Sequence, residues 1–135
     1  MTAFLLIKPE YAFAIFQGTK KYEFRKMRFH RDIKMVVVYA TAPYKKIIGY
    51  FQVGEIHQGF PQMLWDKFNA YAGIDKAAFF SYFKNKSSGI AIEVKEPVSF
   101  RQHRKPREIL PDFTIPWSFR YISEDEFELI KKTGA

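Results

Sequence analysis

The stretch GTKKYEFR at residues 18–25, read together with IKPEYA at residues 7–12, decides the fold of this chain. In the earlier segment, Pro9 suits the first turn of a helix, and Glu10 matches the positive end of the helix dipole. Gly18 has the usual role of a glycine that ends a helix. The sequence therefore predicts a helix that begins near Pro9 and stops at Gly18, with a strand directly after it.

That strand is indicated by regular alternation over residues 21–26. Because successive side chains of a strand point to opposite faces, its apolar and charged residues separate. Tyr22 and Phe24 are predicted to point inward. The charged side chains are predicted to point outward: Lys21, Glu23 and Arg25.

Apolar patterning predicts further strands, most of them short. They lie at residues 3–7, 35–40, 45–57 and 89–95. Glycines within the third of these indicate a bulge or a strong bend, as small barrels need. Residues 101–117 are rich in proline and arginine and are predicted to be irregular. Residues 117–122 are predicted to form a closing strand or a packed turn.

Helices alternate with these strands. One is predicted at residues 61–71, a second begins after the capping residue Asp75, and a last one follows a capping box of Ser123 and Glu126. This order of elements predicts a single α+β domain over residues 1–135. Its centre is expected to be a small, mainly antiparallel, bent β-barrel of five or six strands with flanking helices.

Composition excludes several classes of protein. The chain has no cysteine, which excludes disulfides, thiol nucleophiles and cysteine-based metal centres. Its three histidines are too scattered to predict a metal site, and no cofactor is predicted. The longest apolar run near the start has five residues, whereas a membrane helix needs about twenty. We therefore expect a cytoplasmic protein that does not interact with membranes.

The positive charge is concentrated in two segments. The formal net charge is +8, yet residues 20–34 carry a net +5 and residues 101–107 a net +4, so the remainder nets −1. A single basic run is usually a solvated surface. Two runs beside a nearly neutral remainder favour a surface that binds phosphates. The 15 Phe, 8 Tyr and 2 Trp suit a nucleic-acid binder, although composition alone favours core packing as their explanation.

The quoted stretches resemble the opening of the ASCH domain family, which belongs to the PUA-like superfamily of small β-barrels. The resemblance continues through residues 38–43, 47–56 and 116–122 and covers most of the chain. It implies a PUA-like fold with a cleft lined by the glycine–lysine–glutamate–arginine motif. Members of this superfamily commonly bind RNA or modified nucleobases. Some ASCH proteins resemble amidohydrolases of acetylated cytidine, some are described as ribonucleases, and many are thought to be transcriptional regulators.

In the amidohydrolase branch, the resemblance implies a catalytic lysine, a threonine three residues later and a distant glutamate. Lys20 matches the lysine, but Glu23 stands where the threonine is expected. If the protein is an enzyme, Lys20 and Glu23 are its predicted catalytic residues. A neutral lysine acts as a general base, whereas a charged one binds an anion. The alternative is that Glu23 and Arg25 form an exposed ion pair worth roughly 0–1 kcal/mol.

We therefore predict a protein that binds RNA, single-stranded nucleic acid or a modified nucleoside in a basic cleft. A hydrolase acting on acetylated cytidine, or a ribonuclease, is the alternative. Four of the binding residues are expected to share one cleft at the barrel mouth, backed by aromatics such as Tyr39 and Phe51. The predicted binding residues are Lys8, Lys20, Lys21, Glu23, Arg25, Arg28, Arg101, Arg104 and Arg107, of which Lys8, Lys20, Glu23 and Arg25 are the four. The sequence leaves the oligomeric state open.

Overall fold

A computed structural model describes all 135 residues, and its centre is one bent sheet of six strands. The strands are β1 (Thr2–Ile7), β2 (Tyr22–Arg25), β3 (Met35–Ala40), β4 (Lys46–Gly59), β5 (Gly89–Arg104) and β6 (Phe119–Ile122). The helices are α1 (Pro9–Gln17), α2 (Pro61–Phe68), α3 (Lys76–Tyr82), α4 (Pro106–Ile109) and α5 (Glu124–Gly134). A 3-10 turn, Asn69–Tyr71, follows α2.

The sheet is mainly antiparallel, in the order β2-β5-β4-β3-β1-β6. Only β1 and β3 are parallel, and the crossover between them contains α1 and β2. The predicted α+β class, the bent sheet with flanking helices and the upper strand count are therefore confirmed. None of the helices has the length and apolar character that crossing a bilayer requires.

The bend of the sheet comes from its two long central strands. The pairing of β4 with β5 shifts register three times, as the glycines of β4 predicted. At Gly49 the chains approach so closely that a Cβ would lie 2.3 Å from the carbonyl oxygen of Val98 and 2.6 Å from the Phe16 ring. Only glycine fits there, and it allows α1 to lie directly on the sheet.

The protein has three hydrophobic core clusters, and alternate residues of β3 point into two of them. Val36 and Val38 pack with α1 on one face, whereas Val37 packs beneath α4 and α5 on the other. A third cluster lies under α2 and α3 and includes Phe24 and Phe79. The two faces of the sheet are therefore both covered by helices, which leaves its ends as the places for a cleft.

The ends of several helices follow their sequence signals. The helix that begins at Pro9 ends at Gly18, which has a φ of 86° in the left-handed region. Asp75 caps α3 by accepting a hydrogen bond from the backbone N–H of Ala78. Ser123 and Glu126 form the predicted capping box of α5. Local chemistry thus fixes where these helices begin or end.

Two elements of the structure differ from the sequence prediction. The helix predicted for residues 61–71 ends at Phe68 and continues as the 3-10 turn. The segment predicted to be irregular begins as strand, because β5 runs on to Arg104, which pairs with Ile47 of β4. Residues 106–109 then form α4. Hydrogen-bond pairing with β4 therefore outweighs the low strand propensity of residues 101–104.

Phe24 is buried and Lys21 is exposed, both as predicted, but Glu23 and Arg25 do not point outward to solvent. Glu23 and Arg25 pair with Ile92 and Ile90 of β5, which belong to the main core beside α1. Phe24 lies on the other face, under α2 and α3. Alternation was correct, but the side chains of Glu23 and Arg25 point toward the inside of the sheet. The prediction that these two point outward was wrong, because both faces of β2 are covered and α2 and α3 provide a separate apolar environment for Phe24.

Candidate functional site

The site is built around Lys20, which lies in the tight connection between α1 and β2. Lys20 forms an isolated bridge with Ala72, and its Nζ donates a hydrogen bond of 2.7 Å to the carbonyl oxygen of Ala72. The residue is only 2% exposed. Its ammonium also lies 5.1 Å from the centre of the Phe24 ring and 5.5 Å from that of Tyr11. A long cationic side chain is therefore held inside the protein in a fixed position.

Glu23 connects this lysine to an arginine. Its Oε1 lies 3.7 Å from the Nζ of Lys20, and its Oε2 accepts a hydrogen bond of 3.0 Å from Arg25. Glu23 is itself 5% exposed. The alternative of an exposed, weak Glu23–Arg25 ion pair is therefore excluded by burial. Three charged groups share a low-dielectric site, where their interactions are stronger than in water.

Arg25 joins three parts of the chain. Besides Glu23, its guanidinium donates to the carbonyl oxygen of Leu6 at 3.0 Å and to the Oγ of Ser118 at 2.5 Å. The carbonyl oxygen of Ser118 accepts hydrogen bonds from Arg25 at 3.4 Å and from the backbone N–H of Leu6 at 3.0 Å. The planar guanidinium thus ties β1, β2 and the start of β6 together.

The protonation of Lys20 is altered by this environment. Burial lowers the pKa of Lys20 below its ordinary value, and the positive charge of Arg25 lowers it further. Glu23 opposes both by stabilising the ammonium, which raises the pKa of Lys20. The lysine can therefore release its proton more easily than an exposed lysine, and Glu23 controls how easily.

These groups line one cavity of about 640 Å³, which we call the Lys20 pocket. Eleven of its eighteen lining residues are hydrophobic, so the charges lie in an otherwise apolar wall. Its charged residues are Lys8, Lys20, Glu23, Arg25 and Lys26. Its aromatic residues are Tyr11, Phe24, Phe29, Phe79, Tyr82 and Phe119. Volume and lining resemble those of ordinary small-molecule sites.

The structure brings four of the predicted residues together, since Lys8, Lys20, Glu23 and Arg25 all line the Lys20 pocket. The expected aromatic backing is different. Tyr39 packs in the core beneath α4 and α5, and Phe51 is fully buried beside α1. That expectation was wrong, because both side chains point into cores rather than toward the end of β2.

The other predicted residues lie outside the pocket. Lys21 covers the ring of Tyr71, with its Nζ 4.5 Å from the ring centre. Arg28 donates a hydrogen bond of 3.3 Å to the Oε1 of Gln58. Arg101 and Arg104 lie at the end of β5 that is remote from β2, and Arg107 lies in α4. The two basic segments therefore do not form one cluster around the pocket.

Sequence reasoning did not select Ser118, Tyr82 or Phe119 for the site. In the structure Ser118 accepts hydrogen bonds from Arg25. A signal was present, since Ser118 and Phe119 lie in the segment 116–122 that resembles the family. Tyr82 carried no signal, because only the packing of α3 brings it to the pocket.

Gly73 holds Lys20 in place, and this provides a first prediction. Gly73 has a φ of +64°, and a Cβ there would lie 2.3 Å from the Cβ of Lys20. We expect Gly73→Ala to lower the free energy of unfolding by about 3 kcal/mol, because it adds displacement of Lys20 to the backbone strain. Gly18→Ala is the matched control, since Gly18 has a φ of +86° but open space around it. Gly18→Ala should lower the free energy of unfolding by only about 1–2 kcal/mol. Urea unfolding of both variants measures the difference. Equal losses would contradict the prediction.

Comparison with known proteins places these residues in a family. The model of the ASCH domain matches residues 5–128. An ASCH domain-containing ribonuclease of Zymomonas mobilis is 27% identical over 127 residues, which cover 92% of this chain and 86% of that protein. The large ribosomal subunit protein uL22 of Ureaplasma parvum is 26% identical over 125 residues, which cover 90% of this chain but 39% of that longer protein.

Solved structures agree with the sequence match. The crystal structure of ASCH from Zymomonas mobilis superposes with a TM-score of 0.90 at 25% identity, covering 99% of this chain and 96% of that one. The N-terminal domain of McrB from Staphylothermus marinus has a TM-score of 0.66 at 12% identity, over 98% of this chain and 94% of that one, which is a likeness of fold alone. With the family model spanning nearly all of the described fold, the chain belongs to the ASCH domain family.

Proposed function

We propose that this protein binds single-stranded RNA and takes one nucleotide into the Lys20 pocket. The observation that carries the proposal is a buried excess of positive charge inside an apolar cavity. Lys20 and Arg25 supply two cations against the one carboxylate of Glu23, and all three are largely shielded from water. Membership of the ASCH family and the ribonuclease among its relatives support a function with RNA.

The charge of the pocket favours an anionic ligand. Burying charge is costly unless it is paired, and the Lys20–Glu23–Arg25 group leaves one positive charge unbalanced. Lys8 and Lys26 add two more cations to the lining. A phosphate group that enters beside Arg25 supplies the missing negative charge and is attracted by the positive charge of the guanidinium.

The walls favour a nucleotide over a bare anion. Tyr11, Phe29 and Tyr82 give the pocket aromatic surface on which a base can pack. Glu23 keeps lone pairs that can accept a hydrogen bond from an exocyclic amine of the base. In this proposal the apolar wall packs against the base, and Glu23 accepts a hydrogen bond from the edge of the base. Arg25, Lys8 and Lys26 bind the phosphate.

The remaining predicted residues have a secondary role in this proposal. Lys21 and Arg28 lie just before and just after β2, so they can contact phosphates of a strand that leaves the pocket. Arg101, Arg104 and Arg107 lie far along β5 and in α4. We assign them general attraction of RNA rather than contact with the bound nucleotide.

Salt dependence of binding to a ten-nucleotide single-stranded RNA tests the proposal. Contact with about three phosphates predicts that affinity falls about 20-fold between 50 and 200 mM salt, because bound counterions are released. Fluorescence anisotropy with end-labelled RNA measures it. A duplex of the same sequence serves as the control and is expected to bind more weakly, since its bases cannot enter a pocket. Absence of binding at 50 mM salt, or affinity that does not change with salt, would refute the proposal.

Cleavage of RNA is the second candidate, favoured by the lowered pKa of Lys20 and by the ribonuclease relative. Neutral Lys20 accepts the proton of a ribose 2′-hydroxyl, whose oxygen attacks the adjacent phosphorus. The bond from phosphorus to the 5′-oxygen breaks, and water supplies the proton that the departing oxygen takes up. The products are a 2′,3′-cyclic phosphate and a 5′-hydroxyl. Arg25 stabilises the charge that develops on the phosphoryl oxygens.

Product analysis separates binding from cleavage. Wild type is expected to yield a cyclic phosphate from RNA and nothing from the 2′-deoxy strand. Lys20→Arg keeps the positive charge but cannot supply a neutral base, so it should bind without cleaving. Undiminished cleavage by Lys20→Arg would exclude Lys20 as the base. The acetylated-cytidine alternative predicts free acetate from that nucleoside under the same conditions.

A further inference from the structure

Trp117 is the most exposed large hydrophobic residue of the chain. Its relative exposure is 103%, against 66% for Phe60 and 50% for Tyr71. Such a side chain usually buries about 150–250 Å² in a core or an interface. The other tryptophan, Trp65, packs against Phe79. The exposed indole of Trp117 is therefore not used by the core of the fold.

The backbone next to Trp117 is held at the Lys20 pocket. The next residue, Ser118, accepts hydrogen bonds from the guanidinium of Arg25 and from the backbone N–H of Leu6. Ser118 lines the pocket, so the backbone that carries Trp117 is tied to the charged group of the site. Met27, which is 72% exposed, also lines the pocket and adds exposed apolar surface to it.

We propose that Trp117 is a stacking platform for the base that neighbours the nucleotide in the Lys20 pocket. The inference rests on the proposed RNA binding and specifies its ligand as a single strand of at least two nucleotides. Every base has a flat face that stacks on an indole, so this contact adds affinity with little sequence preference. Duplex bases are already stacked on each other and cannot use it.

The chemistry around Trp117 favours a base over a protein partner. A stable protein interface needs about 800 Å² on each side with a hydrophobic centre. Here the exposed indole belongs to the residue before Ser118, which lines a pocket whose charged residues are Lys8, Lys20, Arg25 and Lys26, with Glu23 as the single acid. An isolated aromatic beside concentrated positive charge is the combination that single-strand binders use.

The test compares penta-adenylate with adenosine monophosphate in wild type and Trp117→Ala. The substitution is expected to weaken binding of penta-adenylate about ten- to a hundredfold and to leave the monophosphate unchanged. The Trp65→Phe variant keeps Trp117 as the only tryptophan, and its fluorescence should be quenched by penta-adenylate but hardly by the monophosphate. Trp117→Phe, which keeps a smaller ring, should lose less affinity than Trp117→Ala.

The outcomes separate this inference from the proposed function. If neither ligand binds wild type, RNA binding itself is wrong and the inference fails with it. If penta-adenylate binds wild type and Trp117→Ala equally, without quenching in Trp65→Phe, only the stacking platform is refuted. A change of sedimentation in Trp117→Ala without loss of RNA affinity would assign Trp117 to self-association instead, which also refutes the inference.

Discussion

The Glu23→Gln variant is expected to unfold about 3–5 kcal/mol more readily than the wild type. Glu23 is the carboxylate that stands between two cations, with Lys20 at 3.7 Å and Arg25 at 3.0 Å. Removing one partner of a buried ion pair leaves the other charge inside the protein without compensation. Glutamine keeps the shape and can still accept one hydrogen bond, so the loss reports the charge rather than a cavity. Urea unfolding at pH 7 measures it.

Two further variants make this result interpretable. Glu55→Gln removes an exposed carboxylate that lies 3.4 Å from His57, and it should change stability hardly at all. The double variant Lys20→Met with Glu23→Gln removes the ammonium of Lys20 together with the carboxylate of Glu23. It is expected to be more stable than Glu23→Gln alone, because an apolar side chain suits the buried position. A Glu23→Gln variant as stable as Glu55→Gln would show that burial does not strengthen the pair.

The free energy of unfolding of Glu23→Gln is expected to increase as the pH rises. Glu23 raises the pKa of Lys20, so its removal lets that pKa fall further below the ordinary value of 10.5. The unfolded chain then binds more protons than the native one at alkaline pH, and stability rises with pH toward 10.5. The deficit of Glu23→Gln should therefore shrink between pH 7 and pH 10. If Lys20 is the base of a ribonuclease, the rise of activity with pH also moves to lower pH.

Much of the fold could be predicted because local signals agree with tertiary packing. Gly18 ends α1 through its left-handed backbone, and Ser123 begins α5 through its capping side chain. The alternation around Phe24 predicted β2, and the glycines of β4 predicted its bends. The same short connection from Gly18 to Arg25 brought Lys20, Glu23 and Arg25 into one pocket. In these places the residues that decide the structure are close in sequence.

The wrong predictions concern residues whose structure depends on contacts with elements far away in the sequence. Alternation identifies two faces of β2 but not which of them meets α1, so Glu23 and Arg25 were placed on the wrong side. The strand character of residues 101–104 depends on pairing with β4, in which the distant Ile47 lies opposite Arg104. Ser118 reaches Arg25 only because β6 pairs with β1. None of these partners is visible in the local pattern.

The Arg25→Met variant is expected to lose about a hundredfold in affinity for single-stranded RNA, roughly 3 kcal/mol. In the proposed complex the guanidinium faces the phosphate, while Glu23, Leu6 and Ser118 hold it in place at 2.5 to 3.0 Å. Methionine fills a similar volume but brings no charge, so one phosphate contact disappears. The slope of log affinity against log salt should therefore decrease in size by about 0.7.

Arg25→Lys and Arg120→Met decide how that loss is interpreted. Lysine keeps the charge but cannot bond to Leu6, Glu23 and Ser118 together, so it should restore the salt slope and only part of the affinity. Arg120 is a matched control, since it also lies in a strand and meets a carboxylate, Glu126 at 3.8 Å, yet does not line the pocket. Anisotropy titrations at several salt concentrations, on variants shown by circular dichroism to be folded, supply the comparison. If Arg120→Met lost as much affinity as Arg25→Met, RNA would be attracted by net charge alone, and the Lys20 pocket would have no special part in binding it.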